Sequence, residues 1–119
     1  MLAGDDPSWP RIRSHYRGEY EHQLTLVLTE LQTCTPSGGG YVVDTLAGAL
    51  WTLQQLDYAA VVRAAIALGN DTDTTAAVAG GLAGIVHGIE GIPSVWLDRL
   101  AGADLVASAE ERLLRRLSL

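Results

Sequence analysis

Lysine is absent from this chain of 119 residues: all eight basic side chains are arginine, set against 14 Asp and Glu for a net charge of −6. We read the missing lysine as a bias of the source genome. The acidic balance argues against nucleic acid as a partner, because a basic patch is the usual footprint of that contact. Cysteine is nearly absent too. A lone Cys34 forms no internal disulfide and suits a reducing, cytoplasmic setting, and without a basic cluster beside it the thiol reads as buried or inert. No charged-then-apolar pattern opens the chain, so export is not expected. The longest uncharged helical run, about 15 residues, is short of the roughly 20 needed to span a bilayer, so no membrane role is expected. Strand-like alternation is missing, as is any repeat of about 20 to 50 residues. At this length and 48% apolar content, one domain burying about two-thirds of its surface is expected.

What is present is concentrated at Gly69-Asn70-Asp71-Thr72-Asp73-Thr74-Thr75, directly before a long apolar stretch. Two readings of this motif stand. Asp and Thr are favoured at helix starts, where they accept orphan N–H bonds and oppose the positive end of the dipole. Alternatively, two crowded carboxylates at a buried helix start repel each other unless a cation sits between them, and a hard, oxygen-liganded ion is the natural candidate. The spacing is not that of an EF-hand, which needs Gly at loop position six and Glu at twelve. Asp71, Asp73 and Thr74 offer about three oxygens, and Mg²⁺ usually keeps water for the rest. After the motif, Gly80, Gly84 and Gly88 recur every four residues. Glycine costs about 1 kcal/mol in a helix interior, so a glycine face predicts close approach to neighbouring helices and a central position.

A second candidate is Ser37-Gly38-Gly39-Gly40 before Tyr41. Backbone N–H groups of such a loop can hold phosphate, but the Gly-Lys-Ser/Thr of a P-loop is missing; a plain flexible connection is the rival reading. His15, Glu19 and His22 would share a helix face and could ligate a transition metal, although a solvated polar face is the commoner outcome. His87 lies about 24 Å beyond Asp71 along a helix and cannot join it. Trp51 and Trp96 read as core, and Trp9 as a cover for exposed core.

The periodicity predicts an all-α bundle of about five to six helices: Glu19 to Gln32, Tyr41 to Leu56, Tyr58 to Leu68, Thr72 to His87, Pro93 to Ala101 and Ala103 to Leu117. Residues 1–18 read as an irregular segment and 19–119 as the helical domain. In the second helix Val42, Leu46, Ala49, Leu50, Leu53 and Leu56 are the expected core face. In the sixth, Leu105, Val106, Ala109, Leu113 and Leu114 face one way, with Glu-before-Arg pairs on the outside.

Residues 69–84, Gly-Asn-Asp-Thr-Asp-Thr-Thr-Ala-Ala-Val-Ala-Gly-Gly-Leu-Ala-Gly, resemble the C-terminal metal motif of the ADP-ribosylglycohydrolases. Gly39-Gly40-Tyr41-Val42-Val43-Asp44-Thr45-Leu46 through Trp51 and Ile92-Pro93-Ser94-Val95-Trp96 resemble flanking segments of that family, so the likeness covers roughly residues 38 to 102. The resemblance implies an all-α fold and a two-metal site, Mg²⁺ or Mn²⁺, with Asp71, Asp73 and Thr74 as half of its ligands. It implies ADP-ribose or an ADP-ribosylated protein as the partner, with Gly39 and Gly40 near the diphosphate and Tyr41 stacked on adenine; Tyr41 as a plain packing residue stays open. The implied reaction is hydrolysis of the N-glycosidic bond between ADP-ribose and an acceptor side chain. The family also uses a Thr-Asp-Asp motif near its N-terminus, and this chain has none; Asp5-Asp6 is a poor substitute, followed by Pro7. The chain is therefore expected to resemble a C-terminal portion, to need a complementing chain or a homodimer for activity, or else to be a non-catalytic remnant or ADP-ribose-binding module.

Overall fold

The computed structural model describes residues 11, 14, 15, 18, 20–26 and 35–117. Trp9, Cys34, Asp5-Asp6, Glu19 and the second half of the first predicted helix lie outside them. Residues 20–26 are helical, as expected there. The remaining described elements are α1 (Val42–Thr52), α2 (Tyr58–Ala67), α3 (Thr72–His87), a 3₁₀ turn (Ile89–Gly91), α4 (Ser94–Leu97) and α5 (Ala103–Leu117), with no strand among the described residues.

Sequence chemistry explains most of the boundaries. Asp57 caps α2, its carboxylate accepting the Ala60 N–H at 2.7 Å. Gly69 follows the α2 C-cap at φ +79, a left-handed stop natural to glycine. Two predicted helices are too long. The first of these, Tyr41 to Leu56, ends as α1 at Thr52: Leu53 and Gln54 form a turn, and Asp57 then starts α2. The other, Pro93 to Ala101, is the single turn α4, after which the chain bends through Gly102 at φ +74 into α5.

The core lies where α3 packs against both α1 and α2. Ala49, Val61, Ala65, Ala79 and Ala83 are fully buried, with Leu53, Tyr58, Ala76 and Leu82 packed on them; Val43 and Ala47 form a second cluster with Leu50. The face expected for α1 needs correction. Val42, Leu46 and Leu56 are exposed, and the buried side of α1 is Thr45, Gly48, Ala49 and Thr52 together with Val43 and Ala47. The reason is separation: a Cβ on Gly48 would stand 3.1 Å from both Leu68 Cδ1 and Thr75 Cγ2, so only small side chains fit.

The glycine face of α3 is likewise only partly as expected. A Cβ on Gly80 would stand 3.2 Å from the Tyr58 hydroxyl, but Gly81 and Gly84 meet nothing within 4 Å, and the buried stripe is Thr75, Ala79 and Ala83. Helix α3 is central nonetheless, because alanine provides the close approach. Trp51 and Trp96 are half-buried rather than core; Trp96 meets Tyr58 edge-on at 6.1 Å, with Arg63 over its ring at 5.9 Å. Helix α5 has the predicted bounds and a Glu111–Arg115 ion pair, but no residue of it is buried.

Candidate functional site

Asp71 stands at the N-cap position of α3, in the same place that Asp57 holds on α2. The two behave differently. Asp57 closes a cap bond at 2.7 Å, whereas the Asp71 side chain closes none of that geometry. The Thr74 hydroxyl, and after it Asp73, hold the Asp71 carboxyl below the ordinary carboxylate range of 3.8; slight desolvation works against them, and the Thr74 N–H contributes weakly, at a geometry short of a cap bond. Asp71 and Thr72 are half-buried, while Asp73 and Thr74 are exposed. Just inside the helix, the Thr75 hydroxyl is buried without a hydrogen-bond partner.

The Gly-rich loop lies against this helix start. Asp71 N–H donates to the Gly38 carbonyl at 3.1 Å, and Asn70 Nδ2 donates to the Ser37 carbonyl at 2.8 Å. A Cβ on Gly40 would collide with the Asp71 carboxylate, and one on Gly39 would stand 2.6 Å from Asp44 Oδ2. Gly38, at φ +67, is closed off by Gly69 O at 2.8 Å. The three glycines are thus a steric requirement, not a slack connection. Thr45 Oγ1 donates to the Gly39 carbonyl at 3.2 Å and ties the loop to the buried face of α1. Tyr41, the N-cap residue of α1, is 59% exposed.

The structure therefore brings Gly40 against Asp71 and Gly39 against Asp44, and Asp73 and Thr74 follow Asp71 in the first turn of α3. Asn70, Ser37 and Thr45 stand within the sequence motifs, but the motifs alone give none of them a role. The one available signal was Asn70, since Asn tolerates the left-handed backbone of a tight turn. His15 Nδ1 is engaged with the Arg11 carbonyl at 2.8 Å, and His87 lies at the far end of α3. Among the described residues, no three His, Cys, Asp or Glu side chains gather as a metal cluster. The donor set at Asp71, Asp73 and Thr74 is all hard oxygen, with one carboxyl biased toward its charged form, which is the chemistry a hard divalent cation takes.

An all-helical protein with paired carboxylates at one helix start, clasped by a glycine loop, is the class this geometry defines. The ADP-ribosylglycohydrolase family matches residues 3–118, and the chain belongs to that family; the match runs well past the stretch 38 to 102 that carries the visible motifs. Among relatives, the chain is 37% identical over 75 residues to ADP-ribosylarginine hydrolase Tri1 of Serratia proteamaculans, covering 62% of this chain and 20% of that protein. It is 36% identical over 78 residues to the Pseudomonas putida protein of the same name, covering 65% and 21%. To ADP-ribosyl-[dinitrogen reductase] glycohydrolase of Rhodospirillum rubrum it is 39% identical over 61 residues, covering 50% and 21%. The chain spans about a fifth of the length of these curated relatives. No solved structure matches it. Among the described residues, no helix is long and apolar enough to cross a membrane.

Proposed function

We propose that this chain carries one side of a metal-dependent ADP-ribosylglycohydrolase site, hydrolysing the N-glycosidic bond that joins ADP-ribose to an acceptor side chain. The substrate class is an ADP-ribosylated protein; the names of the relatives point to modified arginine or dinitrogenase reductase. The observation that carries the reading is the Asp71 carboxylate, at a helix start where it closes no cap bond, pressed against Gly40 of the glycine loop.

Asp71, Asp73 and Thr74 would hold Mg²⁺ or Mn²⁺. Such an ion, when bound, supplies the positive charge that orients ribose hydroxyls and a water. Asp71, favoured as an anion, stays available as an acceptor at neutral pH. The Gly39 N–H donates to Ser37 Oγ at 3.3 Å; the other N–H groups of the 38–40 loop would take the diphosphate, and the exposed Tyr41 ring offers a face to adenine. Hydrolysis needs further carboxylates beyond these three residues. They complete the half-site from more of the same protein, from a second copy or from another chain. A binding module without hydrolysis is the second reading.

Calorimetric titration of Mg²⁺ and Mn²⁺ with ADP-ribose tests the proposal, using the wild-type chain, Asp71→Ala and Asp57→Ala. The expected result is metal-dependent ADP-ribose binding that is lost in Asp71→Ala and kept in Asp57→Ala. Binding that ignores Asp71, or no binding by the folded wild type, would abandon it.

A further inference from the structure

The groups of the candidate site lie on two loops, residues 37–40 and 69–71, separated along the chain by α1 and α2. Asn70 joins them. It is the one non-glycine residue with positive φ, +55, among the described residues. This twist sends its side chain amide back across the gap, where Nδ2 donates to the Ser37 carbonyl at 2.8 Å; the next amide, Asp71 N–H, donates to Gly38 O at 3.1 Å. These two rungs bring the Asp71 carboxylate against Gly40, whose bare Cα leaves room for it where a Cβ would collide with Asp71 Oδ2. Asp71 closes no cap bond like that of Asp57; the Thr74 hydroxyl steadies its carboxylate, and this seam bounds it on the Gly40 side.

The geometry points to Asn70 as a positioning residue: its side chain latches the 37–40 loop onto the carboxylate loop and thereby sets where Asp71 presents its oxygens to a cation. The inference rests on the reading of Asp71 as a metal ligand. Asn70 touches no ion itself; it acts through Ser37 and the neighbouring backbone, as an outer-shell partner fixes a ligand.

Asn70→Gly tests this in the full chain, because glycine keeps the left-handed backbone and removes only the amide. Mn²⁺ alone is the probe, and amide hydrogen exchange at Asp71 reports the seam without reference to metal. The expected result is Mn²⁺ affinity weakened by about tenfold or more, faster exchange at the Asp71 amide, and a melting temperature near the wild-type value. Gly40→Ala should weaken Mn²⁺ binding as well, because its methyl displaces the carboxylate. Mn²⁺ affinity that stays within about twofold in Asn70→Gly, while Asp71→Ala abolishes binding, overturns the latch and leaves the metal reading standing. No Mn²⁺ binding by the wild type overturns the metal reading and the latch together.

Discussion

Asp57 and Asp71 share a residue type and a helix position, and their surroundings decide what each does. Asp57 spends its charge on a backbone N–H, whereas Asp71 is steadied mainly by the Thr74 hydroxyl. A carboxyl held below its ordinary value of 3.8 stabilises the fold fully above that pH, and the contribution is lost as pH falls through the lower folded-state value. Thr74→Val removes the largest cause, so the Asp71 midpoint, followed by carboxyl ¹³C NMR, should rise toward 3.8 and acid destabilisation should begin at higher pH. An unmoved midpoint would assign the hold to Asp73 instead. At this scale the sequence was half legible. The Asp-Thr cluster named its oxygens, but capping and ligation predict the same residue types, so the spacing leaves both readings open.

Helix α1 shows why element faces are harder to read than element bounds. Gly69, Asp57 and the Asp-Thr cluster punctuate α2 and α3 sharply, and those helices begin and end within a residue of expectation. Of the expected α1 face, Ala49 is buried and Leu50 and Leu53 pack on the core, but the bulky Val42, Leu46 and Leu56 are exposed. The buried face followed fit: Thr45, Gly48, Ala49 and Thr52, spaced i, i+3, i+4, i+7 against the alanines of α3. Where two helices approach this closely, small side chains win over large apolar ones, and a hydrophobicity count misses them. The glycines of α3 and α1 should divide accordingly. Gly81→Ala enters open space and should stabilise the chain by about 0.5–1 kcal/mol through helix propensity. Gly48→Ala pushes on Leu68 and Thr75 and should destabilise it by about 1 kcal/mol or more. Thermal or urea denaturation reads both, and an equal response would mean that α1 and α3 do not approach as described.

For the molecule as a whole, stability should be uneven. Among the described residues Val61 is the largest fully buried apolar side chain, so Val61→Ala should destabilise by about 2 kcal/mol. Leu113 lies on the apolar side of α5, where nothing is buried, and Leu113→Ala should change the stability of this chain by less than about 0.5 kcal/mol. A large loss at Leu113 would show a contact for α5. The amphipathic pattern of α5 was plain in the sequence, but a pattern records a preference for a partner and does not say where that partner is. The link between residues 37–40 and 69–71 was invisible for a different reason: it consists of backbone carbonyls meeting groups 33 positions away, which no local spacing encodes. That link also divides the chain into a closed circuit and what lies outside it. Entropy penalises lengthening such a circuit only slowly, by about 0.6 kcal/mol per doubling. The turn at residues 53–57, with Leu56 95% exposed, lies midway round the circuit, remote along the chain from both ends of the link. It is the natural point for inserting a peptide tag or a fluorescent label while leaving the site as it stands.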